Sequence, residues 1–388
     1  MAAIENLGIK GYDGLRFVTL DLERSRNFYL EKLDFGLSAK STSRWEENTG
    51  DRAEVYTAGD IRIEIVEPQR DDSWAAAHRR FHPAGIGKVN FEVVDIEAAW
   101  DKLAGRGATF IDEIETFQSD GGTYRHFEIA SPMGNLNYGF VERDGYDTYA
   151  PGFTSVGDGG DNKFGFTHID HLTSNVRTLK PLVDWFGDVL GMEQYWDIQF
   201  HTSDLDFDDI EDIDPDKVEG SGLKSIVMWD PESGIKFANN EPRRPQFKNS
   251  QIQKYVEDFR GGGVQHAAFA MRDIVGSVAE LRDRGCSFLD TPQSYYDAAP
   301  DRLAEQGVSS IDEDFEELSE LGILVDGEEE KYLLQIFMEE AADYYDEPDA
   351  GPFFIELIQR KGSQGFGGGN FRALFESIER RQQAQAAS

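Results

Sequence analysis

The sequence predicts an α+β fold assembled from four related strand-and-helix units, grouped as two halves of one chain. Three observations carry this expectation. A strand-like run, Leu15 to Leu20, feeds a helical segment ending near Leu33-Asp34-Phe35-Gly36, and the same order returns at Ile169 to Thr173 with a helix ending near Val189-Leu190-Gly191-Met192. A second kind of strand, Gly85 to Phe91, leads into Asp95-Ile96 and returns as Gly263 to Phe269 leading into Asp273-Ile274. Between the copies, residues 150–163 are rich in glycine and aspartate, the composition of a linker. Similarity within halves and between halves reads as duplication at two levels.

Leu15 to Leu20 is apolar at Leu15, Phe17, Val18 and Leu20 and is read as a strand. Gly85 to Phe91 is the next, and the helix behind it stops at Gly105-Arg106-Gly107. The linker then divides 1–150 from 164–388, expected to be two domains. Ile169 to Thr173 and Gly263 to Phe269 repeat the scheme, the last helix stopping at Arg284-Gly285. Two acidic excursions, 203–219 and 311–330, interrupt the second half and are expected to be solvated loops or surface helices. From Asn370 onward, Phe371, Leu374, Phe375 and Ile378 fall at helical spacing while Arg372, Glu376, Glu379 and Arg380 take other positions. That is an amphipathic helix packed on the body, with a fraying tail expected beyond Arg381.

A chain of 388 residues, 39% hydrophobic and 12% aromatic with 27 phenylalanines, has ample material for buried cores and aromatic pockets. Against 38 basic residues stand 74 acidic ones, a net charge of −36. Such a charge repels nucleic acid and anionic membrane surfaces, which excludes both as partners. The expected cause is a halophilic surface, solvated and acidic, whose self-repulsion a salt-rich cytoplasm would screen. The single cysteine, Cys286, rules out an intramolecular disulfide and is expected to be a small buried hydrophobe. With no signal-peptide pattern and no long apolar run, a soluble, cytoplasmic protein is expected.

Three residues stand out: His171 in THIDHLT (167–173), His266 in GGGVQHAAF (261–269) and Glu356 in GPFFIELIQRKG (351–362). Each lies in an apolar, strand-like run. An ionised carboxylate is costly to bury without a cation or several donors, so Glu356 between Phe354 and Ile358 has no bland explanation. Two imidazoles and one carboxylate on one face of an ion suit Fe(II) and leave the opposite face open. In the first half the matching positions read Phe17, Lys88 and Gly139, so one half keeps the metal and the other serves as scaffold. His168 competes with His171 but lies three residues earlier, which turns it to the other face of a strand. His78, His82, His126 and His201 have no comparable setting and are expected to be surface or structural.

The chain resembles the 4-hydroxyphenylpyruvate dioxygenase family over nearly its whole length. ELIQRKGSQGFGGGNFRALFESIERRQ (356–382) carries the likeness most densely, with SQIQKY (250–255), GGGVQH (261–266), LGILVDG (321–327) and KYLLQIF (331–337) in the same order. The resemblance implies tandem βαβββ modules of the vicinal-oxygen-chelate (glyoxalase-like) type, two open-barrel halves and a closing C-terminal helix. It implies Fe(II) on His171, His266 and Glu356. Ser225, Asn240, Gln251, Gln265 and Gln335 match polar pocket residues, and Phe337, Phe366 and Phe371 match the aromatic wall, with Asn370 beside the last. The helix after GFGGGN would gate the pocket, its glycines supplying the bend. Implied substrates are 4-hydroxyphenylpyruvate and O2, and implied products are homogentisate and CO2, in tyrosine catabolism, by a homo-oligomer. The alternatives are 4-hydroxymandelate synthesis from the same substrate and a non-catalytic binding protein on the same modules. One departure is Phe237-Ala238-Asn239 ahead of Asn240, where the family more often has Pro-Ile.

Overall fold

The structure, a computed structural model, describes residues 5–157, 160–202, 220–243, 247 and 250–376. The first sheet holds β1 (Ile9–Val18), β2 (Gly36–Ser41), β3 (Asp51–Ala58), β4 (Ile61–Pro68), β5 (Gly85–Val93), β6 (Glu115–Ser119), β7 (Gly122–Ala130), β8 (Asn137–Asp144) and β9 (Phe153–Ser155). Its order is β6-β7-β8-β5-β1-β4-β3-β2-β9. The second holds β10 (Phe166–Asn175), β11 (Glu193–His201), β12 (Gly222–Trp229), β13 (Lys236–Arg243), β14 (Gly263–Met271), β15 (Leu324–Glu328), β16 (Lys331–Phe337) and β17 (Phe354–Lys361), in the order β11-β12-β13-β10-β14-β17-β16-β15. Apart from β9 the two orders are the same scheme read in opposite directions. Each half is a pair of βαβββ modules joined where the leading strands run antiparallel, β1 on β5 and β10 on β14.

The helix that follows each second leading strand starts the same way. Asp95 accepts the N–H of Ala98 and Asp273 that of Gly276, both at 3.0 Å, satisfying an otherwise orphaned helix donor. Helices Ile96–Gly105 and Ile274–Asp283 then bury Ile96, Ala99 and Leu103, and Ile274, Val278 and Leu281, against their sheets. One apolar core runs through both halves: Phe91 meets Phe237 edge-on at 6.1 Å, and Phe35 meets Phe269 at 6.0 Å. Cys286 lies in this core, 5% exposed, and burial pushes its thiol up to about 11, which makes it unreactive.

Three elements differ from expectation. The stretch 150–163 is more than a linker, because β9 pairs with β2 at Ala39, Lys40 and Ser41. The acidic stretch 311–330 holds the expected surface helix, Phe315–Leu321 with only Leu318 buried, but its second part is a sheet strand, β15, paired along β16 from Leu324 to Glu328. Most of its acidic residues face outward while Ile323, Leu324 and Val325 are buried, and Asp326 is buried with them. The C-terminal helix begins at 368, before Asn370, and Leu374 and Phe375 are buried as their spacing requires. Excursion 203–219, Ile378 and the tail lie outside the described residues.

Equal topology allows the registers to be matched pair by pair. Leu15 faces Val89 where Leu172 faces Ala267; Gly14 faces Asn90 where His171 faces Ala268; Asn90 faces Gly139 where Ala268 faces Glu356. Bulges fall at matching places, Tyr12/Gly14 with Ile169/His171 and Arg16/Phe17 with Thr173/Ser174. His266 therefore corresponds to Lys88 and Glu356 to Gly139, as expected. His171 corresponds to Gly14, and Phe17 to Ser174, which corrects the pairing of His171 with Phe17. Apolar residues recur three positions apart in both strands, so the pattern could be slid by three residues without penalty.

Candidate metal centre

Strands β10, β14 and β17 lie side by side and bring His171, His266 and Glu356 together, 2%, 3% and 1% exposed. One ligand atom from each lies within 4.8 Å of the others. Glu356 Oε2 stands 3.3 Å from Nε2 of both histidines. The bond of 2.8 Å between His171 Nδ1 and Asp170 Oδ1 fixes the tautomer, because a carboxylate only accepts. In the neutral ring Nε2 is then a bare lone pair aimed at a carboxylate oxygen. Acceptors converging in a buried space need a shared proton or a cation, and two nitrogens with one oxygen are a donor set for a transition-metal ion. Burial pushes the Glu356 carboxyl up, but the two imidazoles outweigh it and hold it at about 2. For His171, burial pulls downward and is overcome by Glu356 and Asp170, whereas burial leaves His266 lowered.

The triad is braced from behind. Arg360 donates from Nε and Nη2 to the two Asp170 oxygens at 2.6 and 2.7 Å, and from Nη1 to the carbonyls of Ser363 and Gly365 at 3.1 and 2.8 Å. That arginine thus ties the residue orienting His171 to the loop carrying Phe366. Gln335 Nε2 donates to Glu356 Oε1 at 2.7 Å, and Asn370 Nδ2 donates to Gln335 Oε1 at 2.8 Å. Tyr295 OH bonds Asn370 Oδ1, and Asp326 accepts the Gly369 N–H at 2.8 Å. Gly367, at φ +63°, makes the turn that starts this helix. The chain from Glu356 through Gln335 to Asn370 therefore reports the position of the C-terminal helix to the carboxylate.

The first half contains the same brace with Gly14, Lys88 and Gly139 at the positions of the triad. Arg143 donates to both oxygens of Asp13 at 2.9 Å and to backbone carbonyls of Thr148 and Tyr149. Asp13 corresponds to Asp170, and Arg143 to Arg360, by the registers above. The pair is thus part of how these sheets hold their strands, and the second half uses it in addition to orient an imidazole.

Aromatic rings enclose the triad. Phe366 lies edge-on to His171 at 4.9 Å, Phe354 stacks on His266 at 4.8 Å, and Phe337 meets His266 at 6.1 Å. Trp196 stacks on Phe366 and meets Phe371, each at 6.0 Å, so Phe371 stands one ring behind the wall. A second polar group lies apart: Asn240 donates to Asn175 at 3.0 Å, Gln265 donates to Gln251 at 3.0 Å, and Ser225 sits opposite Asn240 across the strands. All are buried, and Ser225 Oγ and Asn240 Oδ1 have no partner among the described residues, which leaves them for a guest. His168 is exposed, whereas all three residues of the triad are buried.

Sequence reasoning missed Asp170, Arg360, Asn175, Tyr295, Trp196 and Phe354. Asp170 precedes His171, and simple alternation would send it to the opposite face; the bulge between Ile169 and His171 breaks the alternation. Its acidic side chain inside an apolar strand was the available signal.

The sequence pattern of the glyoxalase/bleomycin resistance protein/dioxygenase superfamily matches residues 12–138 and 168–299. A 4-hydroxyphenylpyruvate dioxygenase of Dictyostelium discoideum is 31% identical, over 97% of this chain and 99% of the relative. One from Coccidioides posadasii is 32% identical over 96% and 93%, and one from Caenorhabditis elegans 32% identical over 95% and 91%. Among solved structures, a triple mutant of 4-hydroxymandelate synthase from Streptomyces coelicolor shares the fold, with a TM-score of 0.77, 24% identity, and coverage of 97% and 99%.

Proposed function

The chain belongs to the 4-hydroxyphenylpyruvate dioxygenase family, and on that premise we propose that it converts 4-hydroxyphenylpyruvate and O2 into homogentisate and CO2. The observation that carries this is the buried convergence of His171, His266 and Glu356 within a chain about as long as its relatives. Fe(II) held by these three would supply the redox chemistry and the Lewis acidity that an α-keto acid and dioxygen need. The rest falls to the protein. Asp170 holds the His171 tautomer, and Gln335 holds Glu356 in orientation. Phe337 and Phe366 exclude water and present a flat apolar slot to the phenol ring, with Phe371 supporting from behind. Ser225, Asn240, Gln251 and Gln265 offer hydrogen bonds to the polar ends of the substrate. Asn370, at the head of the C-terminal helix, couples closure of that helix to the Gln335–Glu356 bond.

The same reading takes the acidic surface as an adaptation to a salt-rich cytoplasm and the active form as a homo-oligomer. Among the described residues no helix is long and apolar enough to cross a membrane. The test is gas stoichiometry. Full-length protein loaded with Fe(II) should consume O2 and release CO2 in equal amounts from 4-hydroxyphenylpyruvate, with no 2-oxoglutarate added. Absence of O2 uptake would return the non-catalytic alternative.

A further inference from the structure

The first half-barrel encloses a cavity of about 710 Å³ at the place corresponding to the metal triad. Its centre is rebuilt with different chemistry. A side chain at Gly139 would stand 2.1 Å from Asn90 Oδ1, and one at Gly14 would stand 3.6 Å from the Tyr149 hydroxyl. An amide and a phenol therefore lie beside the positions that correspond to Glu356 and His171. Lys88, in the place of His266 and 6% exposed, pairs with Glu128. Arg16 donates to Glu64 Oε2 at 2.9 Å, and the Tyr149 hydroxyl donates to the same oxygen at 3.1 Å.

The fold does not require these charges. Arg16 and Glu64 correspond to Thr173 and Ala238 in the second half, where the same sheet forms without them. Each pair has one buried partner, Glu64 or Lys88, and pairs taken so far out of water add little stability over apolar packing, so two of them facing a cavity call for another reason. What they leave unused is specific. Glu64 is fully buried, yet its Oε1 has no partner among the described residues. Asn90, 8% exposed, makes no side-chain hydrogen bond among the described residues. Lys88 spends one of its three N–H groups on Glu128. Donors at Lys88 and Asn90 and an acceptor at Glu64 thus line one cavity, and the four charges of the two ion pairs sum to zero.

We propose that this cavity is a second binding site, for an aromatic α-amino acid in its zwitterionic form. The ligand's carboxylate would meet Lys88 and the Asn90 amide, and its ammonium would meet Glu64 Oε1. Its ring would lie among Trp45, Phe117 and Tyr124 on the cavity wall. A zwitterion enters the field of a chain with net charge −36 without the cost an anion would bear.

Isothermal titration of the full-length protein with L-phenylalanine tests this, with 3-phenylpropanoate and phenethylamine as probes lacking one charge each. L-phenylalanine should bind at one site per chain, and each one-charge probe roughly tenfold or more weaker, as expected for loss of a charge-assisted bond. Asn90→Leu should lose the site while Glu356→Gln keeps it. Absence of saturable binding by L-phenylalanine would overturn the proposal. Equal binding of 3-phenylpropanoate, or loss in Glu356→Gln with retention in Asn90→Leu, would do the same. Should Asn90→Leu fail to fold by circular dichroism, the comparison of the three probes on the unaltered protein still decides.

Discussion

Replacing Asp170 by Asn keeps the shape of the side chain and removes its charge, and the same change at Asp13 provides an internal control. In both places a buried carboxylate accepts two bonds from one arginine, with side chains 4% and 1% exposed for the aspartates and 13% and 15% for Arg360 and Arg143. Removing one partner of a buried pair typically costs about 3–5 kcal/mol, and an asparagine that keeps one bond should fall at or below the low end, about 2–3 kcal/mol. Both variants should therefore unfold at lower denaturant concentration by similar amounts. Only Asp170 also orients an imidazole of the proposed metal site, and loss of such a partner typically costs about 10–100-fold in metal affinity. Urea unfolding and competition for Fe(II) against a chelator dye measure the two effects separately. Metal affinity unchanged in Asp170→Asn, or reduced equally in Asp13→Asn, would refute the assignment of an orienting role.

His171→Ala, His266→Ala and Glu356→Ala should each abolish turnover and bound iron, whereas His168→Ala should keep both; iron analysis and O2 uptake decide. Burial, helped by His82 and Arg79, lowers His78 to about 3, so the folded protein keeps it neutral while the unfolded chain takes up a proton below about pH 6.5. Its contribution is therefore lost as pH falls, by about 2 kcal/mol between pH 7 and 5, and His78→Leu should flatten the measured slope by that amount. If the charge of −36 is a high-salt adaptation, the unfolding midpoint should drop from molar to tens of millimolar KCl, and a flat or rising midpoint would contradict it. Phe337→Ile should shift product from homogentisate toward 4-hydroxymandelate, because the ring can tilt once the wall beside His266 shrinks; chromatographic ratios record it.

The triad was legible because a glutamate inside Phe-Phe-Ile-Glu-Leu-Ile has no cheap apolar reading, and because the halves could be laid side by side. The same comparison placed Lys88 and Gly139 correctly, where the pairings of β5 with β8 and of β14 with β17 run without a shift of register. It failed at Phe17, because apolar residues recur three positions apart in β1 and β10 and let one run slide along the other by three. Asp170 was hidden by the bulge between Ile169 and His171. Tyr295 reaches the site from the helix ahead of the acidic stretch 311–330 and Asp326 from within it, a stretch whose charge suggested solvent though its Leu318, Leu324 and Val325 are buried. Local patterns carry burial and period; they do not carry which distant segment closes over a site.

The most direct test is the identity of the organic product. Purified full-length protein with Fe(II), ascorbate and 4-hydroxyphenylpyruvate should yield homogentisate as the main product by chromatography and mass, and the Glu356→Ala protein should yield none. 4-Hydroxymandelate as the main product, or homogentisate from the Glu356→Ala protein, would contradict the account.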